Sequence, residues 1–269
     1  MTWRLSKAEQ HGVFQRNSLL SVTVELRFHP ILKISNGQYV PDFQDRVRDS
    51  FPIYSEGKVQ TINFQPPDTV ETQEEKQFHF KKPDEKTSIT LGVSKLILES
   101  RHHESHENIL NDFNLALSAL LEVYGKIKNT RLGMRYINLI ERERIQNDLN
   151  REVEWRDLIH SSYLEMPASV ATLEGTKFYS EINSPIEGGA LTLRYGLLNT
   201  SEDKKLRFVF DLDRYLDEEF PLQSIMEKLR SFADDIYALF ETMIGPELKQ
   251  WMSKQEVQGI ISQNSGLKK

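Results

Sequence analysis

Cysteine is absent from all 269 residues, which removes disulfides, thiolate metal sites and cysteine nucleophiles and makes a reducing cytoplasm the expected setting. No apolar run approaches the length needed to cross a bilayer, and the opening Met1-Thr2-Trp3-Arg4-Leu5-Ser6-Lys7 lacks the apolar core of a signal peptide. The expectation is a soluble cytoplasmic protein without membrane contact. Basic charge is not in surplus either. A formal charge of -6 runs against a main task of wrapping nucleic acid, which neutralises many phosphates with Lys and Arg, although a local basic patch remains compatible with it. Catalytic signatures are missing as well: there is no Gly-x-Ser-x-Gly nucleophile elbow, and Gly188-Gly189 lacks the third glycine and the strand-to-helix context of a phosphate loop. It reads as a hairpin turn.

What is present is repetition. Val24-Glu25-Leu26-Arg27-Phe28 and Leu132-Gly133-Met134-Arg135-Tyr136 carry the same apolar pattern when Arg27 is superposed on Arg135, with Leu26 on Met134 and Phe28 on Tyr136. The remaining elements follow in the same order in each half. Alternation predicts a first strand over Leu19–Ile34, and Phe43, Val47 and Phe51 at spacings of four predict a short helix that Pro52 ends. Strands are expected at Lys58–Phe64, Lys76–Lys81 and Ser88–Leu98, with Gln65–Glu75 an exposed acidic loop and Pro83-Asp84-Glu85-Lys86 a tight turn. A long helix with one apolar stripe is expected over Ser105–Lys128. The second half reads as a strand at Leu132–Ile140, a helix around Trp155–Tyr163, and strands near Thr176–Asn183, Ala190–Leu198 and Leu206–Leu212. A final helix from Leu222 towards Trp251 is interrupted at Gly245-Pro246.

The expected fold is therefore α+β: an internal duplication of a strand-helix-three-strand-helix unit, with mainly antiparallel sheets and long helices packed on them. Residues 1–129 form the first repeat, with 1–17 a lead-in, 130–252 form the second, and 253–269 are a flexible tail.

Four groups of residues invite chemistry. His102-His103-Glu104-Ser105-His106 brings together metal-ligating types, but the segment is one residue short of the zinc-protease spacing. Ser105 suits an N-cap, which leaves His102 in the preceding loop and His106 in the first helical turn, so a polar loop and cap explain the same residues. Asp211 and Asp213, on one face of a strand, could hold magnesium as in a metal-dependent nuclease; a strand running out into an acidic turn explains them equally. The arginines 131, 135, 142, 144, 151 and 156 are interleaved with carboxylates, which points to an exposed ion-pair surface. Arg27 and Arg135 occupy matching points of the two repeats, and with Tyr136 and Asn138 they are the candidate partner- or anion-binding residues. No catalytic residue, metal or cofactor is assigned.

Arg131-Leu132-Gly133-Met134-Arg135-Tyr136-Ile137-Asn138, the Glu25-Leu26-Arg27-Phe28 strand and the late Leu239-Phe240-Glu241 to Ile244-Gly245-Pro246-Glu247 segment resemble a sporadically distributed family of prokaryotic proteins of unknown function. That resemblance spans nearly the whole chain. Its most specific part is the Leu-Gly-x-Arg-Tyr-Ile-Asn strand, and it implies patchy occurrence, as for genes of mobile elements or phage defence, with no catalytic residues to carry over. The expected function is a non-enzymatic protein-binding or regulatory module. A nucleic-acid-binding protein or nuclease is the first alternative, a holdase-like chaperone or antitoxin the second. A homodimer is compatible with all three.

Overall fold

The computed structural model describes residues 16–65, 69–101, 105–165, 177–199 and 205–252, with backbone alone at 60–65 and 69–73. Nine strands pair antiparallel throughout: β1 Leu19–Phe28, β2 Ile53–Gln65, β3 Thr69–Lys81, β4 Thr87–Gly92, β5 Lys95–Ser100, β6 Asn129–Ile140, β7 Phe178–Ile186, β8 Gly189–Asn199 and β9 Leu206–Leu216. They form one sheet in the order β2-β3-β4-β5-β1-β6-β9-β8-β7. Among the described residues the α-helices are α1 Leu32–Ser35, α2 Val40–Val47, α3 His106–Tyr124, α4 Arg142–Leu149, α5 Trp155–Leu158, α6 Ile225–Met243 and α7 Pro246–Met252. Among the described residues no helix is long and apolar enough to cross a membrane.

Alternation decides what each side of the sheet meets, because successive side chains on a strand point to opposite faces. Phe80, Ile89, Leu98, Val24, Met134, Arg214 and Leu191 are successive register partners across seven strands. All are buried. The helices lie over this row: α3 packs on β5, α6 on β6 and β9, α1 and α2 on β3, and α3 meets α6. Each fully buried leucine or phenylalanine contributes about 1.5–3 kcal/mol, so this single layer of contacts is the main source of stability. Ser105 caps α3 by accepting from the Asn108 amide at 3.3 Å.

Arg214 is the exception in the apolar row, with a side chain only 2% exposed. Its Nε donates to Asp235 Oδ2 at 2.9 Å, Nη2 donates to the Glu187 carbonyl at 2.7 Å, and Nη1 reaches the Gly188, Ala190 and Tyr215 carbonyls at 3.1–3.3 Å. The guanidinium also lies 4.5 Å from the Phe232 ring centroid. It thereby ties the β7–β8 turn to α6. Gly189, at φ +139°, has no room for a side chain, since a Cβ would stand 2.1 Å from the Tyr215 carbonyl oxygen.

Several expectations change. The first strand ends at Phe28, not Ile34: Pro30 cannot donate to a ladder, and Ile31 instead donates its amide to the Val93 carbonyl at 2.8 Å as α1 begins. Ser88–Leu98 is two strands with a turn at Val93-Ser94. Most of the acidic tract expected as a loop is strand, because Glu71–Glu75 pair with Val59–Asn63. The first half consequently has four strands after its short helices where three were expected, while the second has three. The Trp155–Tyr163 helix is a short α5 and a separate 3-10 turn at Ser161–Tyr163, and α4 was not anticipated. The flexible tail, 253–269, lies outside the described residues, as does most of the lead-in.

Candidate partner interface

The strand positions between the buried ones make the opposite face, and among the described residues no helix packs on it. Thr23, Arg135, Asp213, Thr192 and Asn183 are successive partners across β1, β6, β9, β8 and β7. In the next row Ile137, Asp211, Arg194 and Glu181 follow one another. On the other side of Arg135, Arg27 stands opposite Arg131. The centre of this face is thus a charged lattice written by the odd positions of β1, β6 and β9.

Its strongest link runs diagonally. Arg135 lies opposite Asp213 in register, yet its guanidinium donates to Asp211, from Nε to Oδ1 at 2.7 Å and from Nη2 to Oδ2 at 2.6 Å. Asp211 is buried and also has Arg194 Nη1 at 3.5 Å, while Arg194 Nε donates to Glu181 Oε2 at 2.7 Å. The two-pronged geometry fixes the guanidinium plane and strengthens the pair, and the Asp211 bond pushes the Arg135 pKa further up. Arg131 lies 4.0 Å above the Tyr215 ring and donates through Nη1 to both oxygens of Asp217 at 2.7 and 2.8 Å. Its Nε is the one buried side-chain polar atom among the described residues without a hydrogen-bond partner, because Glu25 Oε1, 3.6 Å away, accepts from Arg27 at 2.8 Å instead.

Asp213 behaves differently from Asp211. Burial raises its pKa above the ordinary aspartate range and outweighs Arg131 and Arg135, which pull it down, while the neighbouring Asp211 adds to the rise. The folded protein therefore holds this proton at higher pH than the unfolded chain, where an aspartate titrates at about 3.9. That contribution to stability is complete below the unfolded value and is lost as pH rises through the folded one. Asp213→Asn is accordingly expected to gain stability relative to the parent between pH 4 and pH 7. Asp211→Asn is expected to lose about 1–2 kcal/mol at pH 7, since it removes the charge and puts an NH2 donor in place of one of the two oxygens that accept from Arg135. Thermal unfolding at the two pH values checks both; equal behaviour of the two variants would refute the distinction.

No protein-family model matches the chain, and no curated protein matches it. The geometry therefore carries the functional argument.

The structure separates several residues that the sequence grouped. Arg135 pairs with Thr23 and Arg27 with Arg131, so the two arginines are four residues apart along the β1–β6 ladder, roughly 13 Å. Tyr136 belongs to the helix side, packed against the core, where burial pushes its hydroxyl pKa up. Asn138 is on that side too, 6% exposed, and accepts from Ser18 Oγ at 3.2 Å. Arg135 thus shares a surface with Arg27 and not with Tyr136 or Asn138. Asp211 and Asp213 do share a face, with arginines occupying the space beside them. His106 stands 3.4 Å from Glu107, whose carboxylate also receives Arg230, and His102 lies outside the described residues. Among the described residues no group of three or more His, Asp and Glu is placed to hold a metal. Of the other arginines, Arg142 lies over Trp155, Arg144 over Trp251, and Arg151 binds Glu247, tying α4 to α5 and α7. Arg194 and Glu181 were missed altogether. Their signal was a shared sheet face, at odd positions on β7 and even positions on β8, which becomes visible only once the strands are known to be neighbours.

Proposed function

We propose that the chain is a non-enzymatic, cytoplasmic protein-binding or regulatory module in which two fused repeats present one continuous sheet face to a protein partner. The observation that carries this reading is the uncovered charged face. Arg27, Arg131, Arg135 and Arg194 are matched there by Glu25, Glu181, Asp211, Asp213 and Asp217, so the face has charge pattern without net positive field. Such a surface suits a partner with complementary charges of both signs and offers little to a polyphosphate backbone.

The duplication belongs to this proposal. Superposing Arg27 on Arg135 maps Glu25 onto Gly133, and these two are direct partners in the central ladder, as a pseudo-twofold axis between repeats requires. From that axis β5, β4 and β3 run outward on one side as β9, β8 and β7 do on the other, and β2 is the additional strand. Membership in the sporadically distributed prokaryotic family, with its link to mobile elements or phage defence, is part of the same reading and rests on the Leu-Gly-x-Arg-Tyr-Ile-Asn strand.

The test is affinity capture of the tagged protein from its native lysate with and without nuclease. A stoichiometric protein that survives nuclease, and falls at least tenfold in an Arg27→Ala, Arg135→Ala variant of unchanged fold, is the expected result. RNA or DNA recovered instead, and lost in that variant, would overturn the proposal in favour of nucleic-acid binding.

A further inference from the structure

The two outer edges of the sheet are β2 and β7, and they are protected very differently. An edge strand offers a row of unpaired amides and carbonyls to any other strand, and proteins commonly blunt it with proline, charge or short length. β7 spans nine residues and carries Pro185 and Glu181. β2 spans thirteen without a proline, with Glu56 and Lys58 its only charges. Both edges expose apolar residues, Ile53, Tyr54 and Val59 on β2 and Tyr179 and Ile182 on β7, so the difference lies in length and proline.

We propose that β2 pairs antiparallel with β2 of a second copy of this chain, centred on Gly57, joining the two sheets edge to edge. The charges select both occupant and register. With Gly57 opposite Gly57 of the second copy, each Glu56 faces a Lys58; a shift that centres the pair on residue 56 or 58 sets Glu against Glu or Lys against Lys. The intrachain neighbours extend the same alternation, because Glu56 binds Lys76 at 2.7 Å and Lys58 binds Glu74. A diagonal chain of ion pairs then runs Lys76, Glu56, Lys58 of the second copy, Glu74 of the second copy, although in register Glu56 stands opposite Phe78 and Lys58 opposite Lys76. Val59 comes beside Ser55 of the other chain. This interface uses the sheet edge, so it stands or falls separately from partner binding on the charged face.

The experiment is sedimentation velocity on the full chain at tens of micromolar, with Glu56→Lys, Lys58→Glu and an equimolar mixture of the two. Both residues are exposed, so the thermal midpoints should stay close to the parent. The expected result is a parent species at twice the 31.4 kDa chain mass, each variant monomeric alone, and a dimer restored on mixing, where every Lys again meets a Glu. A monomeric parent would overturn the proposal. So would variants that dimerise by themselves, or a mixture that stays monomeric.

Discussion

Arg214→Met is expected to lower stability by about 3 kcal/mol, which for a domain of this size is a fall in melting temperature of roughly 6–12 °C. Methionine fills a similar volume and retains contact with Phe232, so the loss is not one of packing. It comes from the fork. The guanidinium serves the Asp235 carboxylate and four backbone carbonyls at once, all in a row where the neighbouring residues Met134 and Leu191 are apolar. Removing the donor takes a charge-assisted bond from Asp235 and a shared donor from the carbonyls, of which those of the exposed Glu187 and Gly188 can turn to water, at about 1–3 kcal/mol for a group left unsatisfied. Asp235 is 24% exposed and can recover some hydration, which keeps the expected value at the low end for a broken buried pair. Arg214→Lys should fall between parent and Met variant, because an ammonium reaches the carboxylate but cannot spread over the carbonyls. Thermal unfolding of the three proteins decides; a Met variant melting within a degree of the parent would show that the network contributes nothing net.

Gly245→Ala is the second large effect, also about 3 kcal/mol. Gly245 lies between α6 and α7 and donates its amide to the Leu158 carbonyl at 2.7 Å, while His160 donates to the Met243 carbonyl at 2.8 Å and Ile159 bridges Ile244. A Cβ there would stand 2.3 Å from the Asp157 carbonyl oxygen and 2.7 Å from its carbon. Both atoms are backbone and cannot rotate away. The segments must part, losing two hydrogen bonds worth about 1 kcal/mol each and loosening the buried Ile159 and Ile244. Gly133→Ala is the comparison: its Cβ would meet nothing closer than 3.6 Å, so the change should stay within about 0.5 kcal/mol. Chemical denaturation of the two variants measures the difference, and equal losses would mean that close approach is not what Gly245 provides.

These residues mark what sequence reading could and could not reach. The apolar alternation of β1, β6 and β9 and the helical stripes were legible because burial imposes period two or 3.6 directly on the chain. Ser105 announced its helix through a local bond, and Gly188-Gly189 its hairpin. α4 was hidden because its octet holds only two apolar residues, Ile145 and Leu149, too few to draw a stripe. The β4–β5 turn was hidden for the opposite reason: apolar residues continue through it, and Gly92 alone is a weak turn signal. The acidic stretch of β3 forms strand through its ladder with β2, a pairing that leaves no trace in hydrophobicity. Arg135 and Asp211 are 76 residues apart, and their meeting depends on which strands are neighbours. That Tyr136 and Asn138 oppose Arg135, by contrast, follows from parity alone and was available from the sequence.

The strand order also governs how the chain is made. Strands β1 to β5 occupy residues 19–100 and already complete the order β2-β3-β4-β5-β1, so a growing polypeptide can assemble this half-sheet before β6 leaves the ribosome. The nascent sheet then ends on β1, which in the finished protein is a central strand whose flank belongs to β6. Until residues 129–140 emerge, that flank is an open template beside four apolar residues, Val22, Val24, Leu26 and Phe28. A chain that stops after α3 therefore carries an open strand edge that the finished sheet covers with β6.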